Sequence, residues 1–273
     1  MKSNGPFRAR TSLTDDEAEA VARLERVHGF GGARAALLAM LIGPGQAGRE
    51  RVWAEESALL PEAESLKADI GRLGPSVRLP CFEMLLARLA KGTLGERQEA
   101  LQVARRMLIA ARKSRPLDRL LWMALRRGFG EAPWSVAHAP SDVEIDQLPL
   151  PERLHIAHFT AHLARMVPAD DDAGPSGRQW YAEVLARWFE PGTMPRWQRP
   201  DVDEVVHALN ALQALSWMQR PLLVRAWISE AMPPERPGPL PPTAADALRL
   251  SCLLLDCPLP PELARQYVQI GAA

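Results

Sequence analysis

Three histidines at helical spacing are the residues of this sequence best suited to bind a metal ion. His155, His158 and His162 occur in the segment HIAHFTAH, at positions i, i+3 and i+7 of a predicted helix. They therefore share one stripe of its surface, with Glu152 one turn earlier. Imidazole nitrogens bind zinc, copper and nickel, and this spacing can bring two of them onto one ion. The stripe predicts a small metal- or ligand-binding helix, although no Cys or Asp lies nearby to complete four ligands.

The same histidines also have a structural interpretation. The apolar positions of this helix predict a separate core face, formed by Ile156, Phe159, Leu163, Met166 and Val167. This assignment places the histidine stripe at the boundary with solvent. Boundary histidines often bond a neighbouring helix, or change charge near neutral pH.

A second candidate site is a basic patch. Between positions 105 and 127 the sequence has eight basic residues and one acid, Asp118. The candidate patch residues are Arg105, Arg106, Arg112, Lys113, Arg115 and Arg119. Such a patch suits an acidic protein or an anionic membrane surface, or its charges pair with the acidic clusters of the second half. We do not expect nucleic acid, because no recognised binding fold or basic-aromatic interleaving accompanies the charge.

Tryptophans give a third candidate. The chain has 8 Trp but only 2 Tyr, and Trp180, Trp188 and Trp197 fall within eighteen residues. Trp180 and Trp188 lie roughly on one helix face, which predicts core packing. Trp197, in the loop PGTMPRWQRP, would anchor a protein partner if it were exposed.

No known catalytic motif is present. The sequence lacks HExxH and its inverse, a GxSxG elbow and a Walker loop. Residues 29–32 are glycine-rich but lack the strand and the Lys-Ser/Thr of a phosphate-binding loop. We therefore expect a protein that is not an enzyme and that has no cofactor.

Composition indicates a globular protein without a membrane span. The 273 residues are 47% hydrophobic and carry a formal net charge of +0. No apolar run is long enough to cross a bilayer, and the N-terminus has no signal-peptide core. Cys81, Cys252 and Cys257 fit reduced thiols, so we expect a cytoplasmic protein.

The hydrophobic pattern predicts an all-α protein of about 11–13 helices. A capping box at Thr14 and Glu17 starts the first helix, and the glycines at 29–32 are predicted to end it before a second helix from about Ala33. Pro80 is predicted to lie near a helix start, where its missing N–H costs little. No segment shows sustained period-2 alternation. We expect a flexible N-terminus at 1–13, helical halves at 14–130 and 150–273, and a proline-containing linker at 131–149.

Several segments resemble one family in the same order along the chain. They are FGGARAALLAML (30–41), RLPCFEMLLARL (78–89), RRMLIAA (105–111), RPLLVRAWI (220–228) and the helix stop LDCPLPP (255–261). Together they resemble the cytosolic C-terminal tail of bacterial membrane zinc metallopeptidases of the HtpX/Ste type. The resemblance implies two degenerate, TerB-like helical halves without the protease domain.

The chain departs from that family where acidic turns would bind a cation. Residues 112–116 (RKSRP) and 233–238 (PPERPG) replace the two acidic turns and offer few carboxylates. The resemblance therefore implies a non-catalytic scaffold or interaction module, a partner or regulator of a membrane metallopeptidase. The alternative is a metal- or ligand-binding protein that uses the histidine helix.

Overall fold

The computed structural model describes residues 12–111, 114–130, 143–233 and 238–270. These residues form thirteen α-helices and one short 3-10 helix, Ile145–Gln147, and contain no strand. The prediction of an all-α fold with about 11–13 helices is confirmed. None of the helices in these ranges combines the length and hydropathy needed to cross a membrane.

The described residues divide into two compact units. The first contains residues 12–130 and 265–270, and the second contains residues 143–264. From the sequence, residues 150–273 were expected to form one helical half. In the structure, residues 265–270 pack with the first unit instead. There the amide of Val268 donates to the carbonyl of Ser76 at 3.1 Å. The predicted N-terminal segment and most of the predicted linker lie outside the described residues.

The first unit is built around its second helix. Its helices are α1 (Asp15–Glu25), α2 (Gly29–Ala39), α3 (Ala47–Ser57), α4 (Ala63–Arg72), α5 (Pro75–Leu89), α6 (Leu94–Ile109) and α7 (Pro116–Gly128). Helix α2 packs against α3, α4, α5 and α6. Because neighbours surround it, α2 is apolar on most sides, and Leu37, Leu38 and Leu41 are at most 2% exposed.

The second unit has its core between α8 and its neighbours. Its helices are α8 (Leu150–Leu163), α9 (Pro175–Leu185), α10 (Val202–Ala214), α11 (Gln219–Ala231), α12 (Pro242–Leu254) and α13 (Pro261–Ala264). Helix α8 packs along α10, and α11 packs against α9 and α12. Phe159 and Trp227 meet in this core with ring centroids 5.6 Å apart.

Helix starts follow the capping signals of the sequence. The capping box at Thr14 and Glu17 is confirmed: each residue bonds the other's backbone amide, at 3.2 and 2.8 Å. The same arrangement starts α6 at Thr93 and α10 at Asp201. These boxes satisfy amides that have no partner within the helix, so local sequence determines where the helices begin.

Two local predictions were wrong. The break between the first two helices lies at residues 26–28, and α2 begins at Gly29 rather than near Ala33, so the glycines belong to its first turn. Pro80 does not lie near a helix start, because α5 begins five residues earlier, at Pro75. Pro80 and Gly32 are buried in the first unit, so packing offsets their weak helix propensity, whereas Gly29 and Gly31 are exposed.

Candidate functional site

The structure separates the three histidines of α8 into two environments. The rings of His155 and His158 meet edge to face, with centroids 6.4 Å apart, and both residues are half-buried. His162 is fully buried, so the predicted boundary position is wrong for this residue. The predicted core residues Ile156, Phe159, Leu163, Met166 and Val167 are buried, as expected.

His155 lies in surroundings that disfavour its charged form. Burial lowers its pKa, and the positive charges of His158 and of His207 on α10 lower it further, against the opposing effect of Glu152. Its Nδ1 atom is buried and has no hydrogen-bond partner in the described part of the chain. No group of three or more His, Cys, Asp or Glu side chains there is arranged to hold a metal ion. Metal binding by this helix stays a prediction.

The predicted basic patch is divided by ion pairs. Arg106 bonds Glu56 on α3, and Arg115 bonds Asp118 at 2.9 Å. Arg105 is exposed and Arg119 is half-buried, while Arg112 and Lys113 lie outside the described residues. Two of the four patch residues that the structure describes therefore have acidic partners, and binding of an anionic partner by this patch stays a prediction.

A buried ion pair that the sequence did not reveal lies beside this patch. Arg49 donates to Asp118 through two nitrogens, at 3.1 and 2.6 Å, and also to the carbonyl of Leu41 at 2.6 Å. Arg49 is fully buried and Asp118 is 2% exposed. The only sequence signal was a single acid among many basic residues; its partner is 69 residues away.

Many other arginines cap helix ends rather than form a binding surface. Their guanidinium groups donate to carbonyls at the C-terminal ends of α1, α2, α7, α9 and α12, where the helix leaves its carbonyls without internal partners. The pairs are Arg88 with Leu24, Glu25 and Val27, Arg78 with Met40 and Ile42, Arg97 with Phe129, Arg153 with Trp188, and Arg220 with Leu255.

The three tryptophans of the predicted aromatic site, including the expected anchor Trp197, are buried or half-buried. Trp180 is 1% exposed and its indole N–H donates to the carbonyl of Trp227 at 3.2 Å, as core packing predicts. Trp188 is half-buried. Trp197 is also half-buried, donates to the carbonyl of Ala161 at 3.0 Å, and lies under the guanidinium of Arg178. Trp197 is therefore not fully exposed, as the predicted anchor role required, and binding of a partner by this residue stays a prediction.

Trp217, which no pattern in the sequence singled out, is the tryptophan that is exposed among the described residues. It is 70% exposed in the turn before α11, next to Met218 at 52% and close to Leu222 at 55%. We call these three residues the α11 ridge. Its signal in the sequence was weak, because Trp217 follows an apolar helix and has the pattern of one more core residue.

An apolar groove lies beside this ridge. It has a volume of about 650 Å³ and runs between α11 and the segment that follows α12. Its apolar lining comes from Pro221, Val224, Ile228 and Met232 on one side and from Pro258, Leu259, Pro260 and Pro261 on the other. The charged residues Arg225 and Glu262 also line it. We call it the α11 groove.

The helix stop LDCPLPP forms one wall of the α11 groove. Asp256 has a φ of 53°, and the amide of Cys257 donates to the carbonyl of Cys252 at 3.0 Å, which is a Schellman motif. Arg220 and Gln213 bond the carbonyls of Leu255 and Leu254 at 2.9 and 2.7 Å. The motif that carries the family resemblance therefore has a structural role, because it turns the chain sharply at the end of α12.

A second cleft lies in the first unit, with a volume of about 380 Å³. Leu59, which is 98% exposed, stands at this cleft, and buried Trp53 contributes to its floor. Three carboxylates line it: Glu55, Glu56 and Glu99. Glu56 bonds Arg106 and Glu99 bonds Arg34, whereas Glu55 is exposed and has no ionic partner among residues 12–111. We call it the Leu59 cleft.

Comparison with known proteins gives no family assignment. The chain matches no protein-family model, no curated protein and no solved structure. The fold and the two exposed surfaces are therefore the observations on which a functional proposal depends.

Proposed function

We propose that this chain is a cytosolic, non-catalytic interaction module, and that its partner is a membrane zinc metallopeptidase of the type that the sequence resembles. The observation that carries the proposal is the Leu59 cleft. The Leu59 side chain is 98% exposed, so it buries almost no apolar surface on folding and is available to contribute apolar contact area to a partner.

The chemistry of the cleft indicates what kind of segment fits. Its floor is apolar, from Ala35, Leu38 and Trp53, and its edge carries carboxylates. Arg34 also lines the cleft and pairs with Glu99, while Glu55 is the lining carboxylate that forms no salt bridge within the described part of this unit. A segment with an apolar anchor next to a Lys or Arg would fill the floor and pair with Glu55.

Such segments are common in membrane proteins. Cytosolic segments close to membrane helices are enriched in Lys and Arg and are followed by apolar residues. A juxtamembrane segment of a metallopeptidase has this chemistry. The same-order resemblance of five segments to the tail of these enzymes supports the choice of partner.

The test is affinity purification of the tagged full chain from solubilised host membranes after cross-linking, with identification by mass spectrometry. We expect a membrane zinc metallopeptidase to be recovered with the unaltered chain and lost with Leu59→Asp and with Glu55→Lys. Leu94→Asp is the matched control, because Leu94 is 59% exposed in the same unit but does not line the cleft.

Two results would contradict the proposal. One is recovery of no membrane protease under conditions where known control complexes survive. The other is equal recovery by the Leu59→Asp variant and the Leu94→Asp control, since the Leu59 cleft would then not be the binding surface.

A further inference from the structure

We propose that the α11 ridge and the α11 groove bind a second copy of this chain, giving a two-fold symmetric dimer. This surface belongs to the second unit and shares no residue with the Leu59 cleft. The inference therefore adds a partner to the proposed function and does not depend on it.

The groove can accept apolar side chains of considerable size. Its volume of about 650 Å³ is in the range of small-ligand pockets, and most of its lining is aliphatic or proline. One wall is the α11 face that carries Val224, Ile228 and Met232. The other wall is the turn held by the Schellman motif and by Arg220, so its position is fixed before a partner arrives.

The ridge supplies side chains that such a groove fits. Trp217, Met218 and Leu222 are 52–70% exposed. Met218 and Leu222 lie on either side of Pro221, which lines the groove, and Trp217 directly precedes Met218, so the ridge is close to the groove along the chain. A large exposed tryptophan next to an apolar groove is the typical composition of an interface centre. One surface therefore carries both a protruding and a receiving part.

The charges at the groove favour a second copy as the occupant. Arg225 on α11 and Glu262 on α13 both line the groove, both are exposed, and neither forms a salt bridge among the residues that the structure describes. In a two-fold interface the same surface meets itself, so each contact occurs twice. Arg225 of one copy then meets Glu262 of the other, and the reciprocal pair forms at the same time.

Net charge is compatible with self-association. The formal net charge of the whole chain is +0, so two copies approach without long-range repulsion. A partner of strongly acidic or basic character would gain little at this surface, because its one cation and one anion cancel.

The experiment measures the mass of the purified full chain by sedimentation velocity over a concentration series. We expect a concentration-dependent dimer. Arg225→Glu and Glu262→Arg should each weaken its dissociation constant at least about tenfold, and the double exchange should recover most of that loss. Trp217→Ala should weaken it by a similar factor. Arg51→Glu, at an exposed site of the first unit, is the matched charge-reversal control.

Circular dichroism melts establish that each variant is folded. A chain that is monomeric at every concentration up to about 1 mM would overturn the inference. So would a dimer that is unaffected by the two charge reversals, or a double exchange that recovers nothing. These readouts do not involve the Leu59 cleft, so failure of this inference and failure of the proposed function are distinguishable.

Discussion

Arg49 and Asp118 form a fully buried ion pair in the first unit, with Arg49 Nη2 2.6 Å from Asp118 Oδ2. Asp118 also accepts from the backbone amide and the guanidinium of Arg115, both at 2.9 Å, and so caps the start of α7. Arg49 in addition bonds the carbonyl of Leu41, at the end of α2. One carboxylate and one guanidinium thus connect the positions of α2, α3 and α7.

Removal of the carboxylate should destabilise the protein strongly. Asp118→Ala leaves Arg49 buried without its counter-ion, and loss of one member of a buried pair costs about 3–5 kcal/mol. The measurement is the free energy of unfolding in urea. Glu19→Gln is the control, because it removes an exposed ion pair with Arg23, expected to contribute at most about 1 kcal/mol. Equal effects of the two variants would contradict the assigned role of the buried pair.

Asp118 should also make stability sensitive to acid. Burial by itself would raise its pKa, but the bonds from Arg49 and Arg115 outweigh this effect and hold the pKa below its ordinary value of 3.8. The unfolded chain therefore takes up this proton first as the pH falls, which favours unfolding. We expect the difference in unfolding free energy between the native chain and Asp118→Asn to be constant above about pH 5 and to shrink below about pH 4. A difference that does not depend on pH would contradict this prediction.

His155 should contribute a second pH dependence, nearer neutrality. Its pKa lies below the ordinary 6.5 because of burial and of His158 and His207. The unfolded chain therefore binds the proton more readily, and stability should fall as the pH decreases below about 6.5. His155→Gln should reduce this fall between pH 7 and pH 5 in thermal melts. His28→Gln, at an exposed position, should leave it unchanged; equal curves for both variants would exclude the role of His155.

Gly48 should not tolerate a side chain. A Cβ atom at this position would lie 2.1 Å from the carbonyl oxygen of Ala110, because the start of α3 lies directly against the end of α6. Gly48→Ala should therefore lower the free energy of unfolding by about 1–3 kcal/mol or more. Gly71→Ala is the matched control in α4, where a Cβ meets no atom within 4 Å, and it should be neutral or slightly stabilising. If Gly48→Ala left the free energy of unfolding unchanged, α3 and α6 would have to lie further apart than in the structure.

The Asp256→Gly variant should be more stable to unfolding than the Asp256→Ala variant. Its φ of 53° lies in the left-handed region, which costs a residue with a side chain roughly 1 kcal/mol and costs glycine little. Asp256→Gly and Asp256→Ala both remove the carboxylate and its weak 3.8 Å pairing with Arg220, so their difference isolates the backbone term. We expect the glycine variant to unfold at the higher urea concentration. The reverse order would show that Asp256 does not adopt this conformation.

Much of the fold was predictable from local patterns. The all-α fold class and the approximate number of helices follow from hydrophobic periodicity. The start of α1 follows from Thr14 and Glu17, which are three residues apart. The core face of α8 was also predicted correctly, because helical periodicity is a property of adjacent turns. The error at Pro80 arose where packing of a buried residue outweighs intrinsic propensity, and the error at Gly29 was a displacement of the helix start by one turn.

The candidate surfaces required the folded chain. Trp197 and Trp217 both look like anchors or core residues in the sequence, yet a bond to Ala161, 36 residues away, holds Trp197, while Trp217 is 70% exposed. Similarly, the basic residues near position 110 suggested a patch, but partners such as Glu56, 50 residues from Arg106, neutralise part of it.

The sequence by itself determined the all-α class, the capping boxes and the helix stop at Asp256, because these depend on residues within one or two turns of each other. The tertiary structure alone decided which side chains meet across helices: Arg49 with Asp118, the arginines with distant helix ends, and the two walls of the α11 groove. The physical reason is distance along the chain. Burial and ion pairing depend on neighbours brought together by packing, and a short sequence pattern does not specify them.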